Sequence, residues 1–186
     1  MVTSPVSGQQ RPIVKLGDPH LRQIAAPVQN FDNRLQTLID DLIWTAEKTN
    51  GVGIAAPQVG ESLQLFIVAS RPNPRYPDAP LMEPTAMVNP CILAHEDEII
   101  TGWEGCLSVP DRRGLVPRYQ TVEVAYCDRH GYGHKTVLTG FIARIFQHEH
   151  DHLGGQVFLD RVPAGGSILS EAEYWAQVEQ TPFLTD

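Results

Sequence analysis

Thr139-Gly140-Phe141-Ile142-Ala143-Arg144-Ile145-Phe146-Gln147-His148-Glu149-His150-Asp151-His152-Leu153-Gly154-Gly155 sets Phe141, Ile142, Ile145, Phe146 and Leu153 at helical spacing and ends on two glycines. The spacing predicts a helix from about Thr139 to Leu153 with that side turned into a core. Within it, His148-Glu149-His150-Asp151-His152 fits H-E-x-x-H. Residues four apart are neighbours on one helix face, so the two outer imidazoles can converge on one ion. They continue the stripe of Phe141 and Ile145, which puts that ion beside the core and out of bulk solvent. Glu149 projects to an adjacent side, within reach of a water on the ion whose proton it can take and return. His150 lies about 160° around the helix from each of the other two. It is read as solvent-facing or hydrogen-bonding, not as a ligand.

Two imidazoles do not hold a catalytic ion tightly; a third protein ligand is needed, with one position left for water. Downstream the chain offers only the carboxylates Asp160, Glu171, Glu173, Glu179 and Asp186, and no histidine follows His152. That excludes the three-histidine metzincin pattern. Upstream, Cys106 sits in Glu104-Gly105-Cys106-Leu107-Ser108-Val109-Pro110, and a thiolate suits a soft or borderline ion. A buried cysteine acting as a small hydrophobe is the competing reading, and Cys91 and Cys127 keep it. A metallopeptidase completed by a downstream carboxylate, and a closed zinc module completed by Cys91 or Cys127, stand as rivals here. The second is weakened because the chain has no C-x-x-C pair.

Further out, Leu35, Leu38, Ile39, Leu42, Ile43 and Ala46 recur at helical spacing between Asp32 and Asn50, with Asp32 or Asn33 as N-cap and Gly51 as the stop. Gly51 to Gly60 reads as a loop by composition. Strand-like runs follow at Leu63 to Ala69, Ala86 to Val88, Ile99 to Thr101, Gly114 to Pro117 and Thr121 to Tyr126. The Pro-laden stretch Arg71 to Pro84 reads as an extended surface loop, Asp128 to Gly133 as a hairpin turn, and Ser167 to Gln180 as a last short helix capped by Ser167 or Ser170. The expected class is α+β: short, mostly antiparallel strands packed around a central helix carrying H-E-x-x-H, with an N-terminal amphipathic helix. One catalytic domain over residues 13–186 is expected behind a flexible tail of residues 1–12.

A chain of 186 residues can bury a real core, and 42% hydrophobic with 19% charged residues is an ordinary globular composition. Fourteen basic against 22 acidic residues give a net charge of −8, which argues against a nucleic-acid-binding face. No run approaches the roughly 18 apolar residues of a membrane span, and the first residues lack the apolar centre of a signal peptide. Three cysteines, one necessarily unpaired, suit a reducing compartment. The expectation is a cytoplasmic protein that binds neither membrane nor nucleic acid.

Three segments in this order resemble the peptide deformylase family: Gly51-Val52-Gly53-Ile54-Ala55-Ala56-Pro57-Gln58, Glu104-Gly105-Cys106-Leu107-Ser108, and Gln147-His148-Glu149-His150-Asp151-His152-Leu153. Leu16-Gly17-Asp18-Pro19-His20-Leu21-Arg22 is similar to the family's opening segment, so the likeness runs from about Ile13 to about Val162. It implies that Cys106, His148 and His152 hold one divalent ion, ferrous iron in the cell and zinc, nickel or cobalt in preparations. It further implies Glu149 as general acid/base, with the Gln58 side chain and the Leu107 backbone N–H donating to the formyl oxygen of N-formylmethionyl nascent peptides, where negative charge develops. Gly53, Ile54 and Gly105 would bind substrate, the glycines letting a peptide main chain lie close and pair like an added strand. Ile54, Ile145 and the edge of the His148 ring are candidate walls for the methionine side chain. Asp151 and Glu104 are left outside the catalytic set, as partners for a histidine or for an arginine such as Arg118. The resemblance also implies passing contact with the ribosome, although the residues after Val162 lack the Lys and Arg with which some bacterial members dock a C-terminal helix. The Arg71 to Pro84 stretch resembles the form found in some bacteria and in organelles.

Overall fold

The computed structural model describes residues 8–180. In chain order these form α1 (Asn33–Lys48), β1 (Gly53–Ala55), β2 (Leu65–Ser70), β3 (Met82–His95), β4 (Ile99–Cys106), β5 (Val109–Tyr119), β6 (Thr121–Cys127), β7 (Gly133–Thr139), α2 (Gly140–Leu153), β8 (Ile168–Ser170) and α3 (Glu171–Gln180). Single 3-10 turns lie at Pro19–Arg22, Ala56–Val59 and Phe158–Arg161. One sheet has the order β1-β2-β3-β6-β7 and the other β4-β5-β8, with every pairing antiparallel. The class is therefore mixed helix and antiparallel sheet.

The strand β2 explains how the layers stack. All six of its residues are buried, and successive side chains on a strand point to opposite faces. Leu65, Ile67 and Ala69 join a core with Leu35, Leu38, Ile39, Leu42, Ile43 and Ala46 of α1. Phe66 and Val68 join a second core with Ala143, Ile145, Phe146 and Leu153 of α2. The first sheet thus carries α1 on one face and α2 on the other, which is why β2 reads as an unbroken apolar run and not as an alternation. The rings of Phe66 and Phe146 meet edge to face at 5.1 Å, a contact that adds about 0.5–1.5 kcal/mol to the burial itself.

The helix α2 also touches β5 of the second sheet. Gln147 makes that joint: its side-chain oxygen accepts from the Tyr119 N–H at 3.1 Å and its nitrogen donates to the Tyr119 carbonyl at 2.9 Å. At the helix start Gly140 has φ +58°, a left-handed turn that carries the chain from β7 into the helix. Asp32 caps α1 by accepting from the Leu35 N–H. A third, small core of Cys106, Val109, Val116, Val157 and Phe158 closes the far end of the second sheet.

Several segments differ from the sequence expectation. Gly51 to Gly60, expected as a loop, contains β1 and a 3-10 turn, with Ile54, Ala55 and Ala56 fully buried. The strand β3 runs far beyond Ala86 to Val88, because its second half pairs with β6 while its side chains from Cys91 to His95 are exposed. The extended loop ends at Leu81, where β3 begins, and the last helix starts at Glu171 after the short strand β8. Ser170 caps that helix reciprocally with Glu173. Within the stretch expected as a tail, the Gln9 N–H donates to Asp41, the Arg11 N–H to the Thr45 hydroxyl, and Arg11 pairs with Asp41 at 2.8 Å. Residues 1–7 of that tail lie outside the described residues. No helix among the described residues is long and apolar enough to cross a membrane.

Candidate metal centre

Cys106 ends β4, and His148 and His152 stand one turn apart on α2. Ligand atoms from these three residues all lie within 4.8 Å of one another. The Cys106 sulfur is 3.4 Å from His152 Nε2, and His148 Nδ1 is taken by Glu104 at 2.9 Å. That bond leaves His148 Nε2 for an ion, the arrangement in which a carboxylate behind a ligand imidazole fixes its tautomer. Burial alone would raise the Cys106 thiol, but the two imidazoles outweigh it and hold the sulfur well below its usual range, towards thiolate. Borderline nitrogen and sulfur donors in this number suit a divalent transition ion and leave a position for water.

Behind His148 lies a closed network of charge. Glu104 accepts from Arg118 at 2.9 Å through each oxygen and from Arg144 at 2.9 Å. Asp151 accepts from the same Arg118 at 2.6 Å and from Arg161 at 2.6 Å. Burial would raise the Glu104 carboxyl, but the hydrogen bonds from Arg118 and His148 outweigh it and keep it ionised. For Asp151 the burial penalty is likewise outweighed by Arg161 and Arg118. Glu104 is therefore a charged group that fixes the His148 ring, a role its sequence position beside Gly105 leaves open.

In front of His148 the environment reverses. Glu149 is buried, and its Oε2 has no partner among the described residues. Burial pushes its carboxyl up to about 7 against the pull of His148 and His152. Its side chain packs over Gly53, where an added Cβ would lie within 2.9 Å of Glu149 Cγ and Cδ. A side chain at Gly53 would thus displace Glu149 before it met any ligand. Gln58 comes from the 3-10 turn after β1. The Ala55 N–H donates to its oxygen at 2.8 Å, which turns its nitrogen towards the Cys106 sulfur at 3.3 Å and the Ser108 hydroxyl at 3.2 Å. The Leu107 carbonyl accepts from Lys15 at 2.8 Å.

Gly53, Gln58, Gly105, Cys106, Leu107, His148 and Glu149 all line one pocket. Val52, Tyr76, Trp103, Phe141 and Ile145 give it apolar walls. His152 lies just behind it, 1% exposed. Ile54 is not among the lining residues: it is fully buried in the core that packs on α1, so its side chain is no wall, and only its backbone in β1 is placed near the site. His150 is half-buried, its ring stacked on Phe146 at 5.9 Å, and it is no member of the ligand group. Tyr76, Trp103 and Arg144 were not picked out in the sequence. They arrive from a Pro-rich loop, from β4 and from the polar side of α2, and no local pattern marks a residue that tertiary packing brings in.

The sequence pattern of the polypeptide deformylase family matches residues 10–166. Peptide deformylase 2 of Nostoc sp. is 63% identical over 164 residues, 88% of this chain and 92% of that one. A crystal structure of class I type b peptide deformylase from Acinetobacter baumannii with Met-Ala-Ser bound superposes with a TM-score of 0.80 at 51% identity, covering 82% of this chain and 98% of that one. A peptide deformylase from Synechococcus elongatus, solved in complex with actinonin, gives 0.74 at 34% identity over 88% and 84% of the two chains.

Proposed function

The chain belongs to the peptide deformylase family, and on that premise we propose how its residues divide the work of removing the formyl group from N-formylmethionyl peptides. Cys106, His148 and His152 hold one divalent ion, ferrous iron in the cell, with zinc, nickel or cobalt able to use the same donors. Held there, the ion supplies Lewis acidity that brings the pKa of a water towards neutrality. Glu149 takes the proton from the attacking water and hands it to the amine that leaves with the peptide. Gln58 Nε2 and the Leu107 N–H donate to the formyl oxygen as it gains charge. The strand β1 pairs with β2 on one side only, so the backbone of Gly53 and Ile54 can take a peptide as an added strand. Gly105 faces it across the pocket, and the methionine side chain enters among Val52, Phe141 and Ile145. The relative crystallised with Met-Ala-Ser supports a peptide in this pocket. Such an enzyme works in the cytoplasm in passing contact with ribosomes, which co-sedimentation at low and raised salt tests.

The reading is carried by one coincidence: three donors within 4.8 Å of each other, a buried carboxylate oxygen without a partner among the described residues, and an amide whose donor end is pinned towards the same sulfur. Anaerobically iron-loaded protein is expected to release formate from formyl-Met-Ala-Ser, and Cys106→Ala to lose both metal and activity. No formate from the wild type overturns the reading. Metal and activity retained in Cys106→Ala overturn the ligand set.

A further inference from the structure

Four arginines stand in or beside the pocket, and three have a carboxylate. Arg113 pairs with Glu171 at 2.8 Å, Arg118 with Glu104 at 2.9 Å, and Arg144 with Glu104 at 2.9 Å. Arg75 has none. Its guanidinium makes no hydrogen bond or ion pair among the described residues, in a chain of net charge −8, although it lines the pocket. Its position is built into the fold. Asn73 and Tyr76 exchange backbone hydrogen bonds at 3.1 and 3.0 Å, and the Asn73 side chain accepts from the N–H groups of both Arg75 and Tyr76. The Tyr76 ring packs on Phe141 at 5.2 Å and lies beneath Arg113 at 5.3 Å. The tight turn therefore docks on the pocket rim and delivers Arg75 to it. There its Nη2 lies 3.0 Å from where a Cβ of Gly105 would be, one residue from the ligand Cys106.

We infer that Arg75 selects peptides bearing a carboxylate just downstream of the formylmethionine, in the side chain of the second or third residue or at the end of a short chain. The inference rests on the deformylase reading above. A peptide whose formyl group reaches Cys106 and the two histidines leaves the pocket past Gly105. Each further residue advances it by at most about 3.5 Å, so residues two and three pass under this guanidinium. The planar fork of an arginine matches a carboxylate with two parallel hydrogen bonds. A cation there also disfavours lysine at the same positions.

The test compares kcat/KM of the iron-loaded full chain on formyl-Met-Ala-Ser amide, formyl-Met-Ala-Asp amide, formyl-Met-Ala-Lys amide and formyl-Met-Ala-Ser with a free carboxylate. Formate release from the neutral serine amide reports on the deformylase reading alone. The expected result is about a two- to fivefold advantage of a carboxylate substrate over the lysine amide, the size of a partly exposed ion pair, carried by KM and shrinking as salt rises. Arg75→Leu is expected to abolish the advantage and Arg75→Lys to keep part of it. An advantage in the aspartate arm assigns the contact to a side chain, and one in the free-serine arm to the chain end. Equal values in the wild type overturn the inference while deformylation stands, and so does an advantage that persists in Arg75→Leu.

Discussion

The two sides of His148 hold the same kind of group in opposite conditions. On the inner side, Glu104 and Asp151 share Arg118, and every one of their oxygens accepts a hydrogen bond from an arginine or from His148. On the pocket side, Glu149 is equally buried, yet one of its oxygens has no partner among the described residues. A paired buried carboxylate is a fixed charge that orients what it touches. An unpaired one has its protonation balanced by burial and is free to exchange a proton. On the proposed reading, two glutamates on either side of one imidazole are thereby divided into a support and a reagent by the groups that face them.

Breaking the reagent has the largest expected effect. Glu149→Gln removes proton transfer without changing shape, so kcat/KM for formyl-Met-Ala-Ser is expected to fall about 10²–10⁴-fold with metal content unchanged. Lost metal in that variant would mean that Glu149 belongs to the support. Breaking the support comes next. Glu104→Ala leaves Arg118 to Asp151, takes the carboxylate from Arg144 and frees the His148 ring, with an expected loss of about 3–5 kcal/mol in denaturant unfolding and about 10–100-fold in metal affinity.

A pH series sharpens the contrast further. In metal-free protein the folded-state pKa of Glu149 is raised from 4.5 to about 7, chiefly by burial. The fold therefore prefers the protonated acid, and its contribution to stability declines as pH rises from about 4.5 towards 7. The melting temperature of metal-free wild type should drop relative to metal-free Glu149→Gln across that interval. A constant difference would show that burial does not govern this carboxyl. The smallest effect is expected at the outer end of the network. Arg161 is 46% exposed, and Asp151 keeps Arg118 without it, so Arg161→Ala should cost about 1 kcal/mol or less in unfolding.

The same contrast explains what could be read before the structure. Periodic apolar positions place helices close to 33–48 and 140–153, and the four-residue step between His148 and His152 survives any detail of packing because it is a property of the helix. The strand β1 was hidden because Gly53, Ala55 and Ala56 are small to fit beneath Glu149 and within two cores, and small residues read as loop. The strand β7 was hidden because it is an edge strand whose His134 and Lys135 face solvent. Cys106 rose above an ordinary buried cysteine only through the family likeness. Ser108, Arg144 and Arg75 are brought to the site by packing between segments distant in the chain, and nothing in their own segments announces it.

The pinned amide of Gln58 has a consequence for how little this site tolerates. An amide offers an acceptor at one end and a donor at the other, and the Ala55 N–H already claims the acceptor. Replacing its nitrogen with oxygen, as in Gln58→Glu, keeps the outline of the side chain and reverses its message. The end facing the Cys106 sulfur would then be a second anion beside one already held towards thiolate. If Gln58 holds the formyl oxygen as proposed, a swap of a single heavy atom would turn that grip into a push.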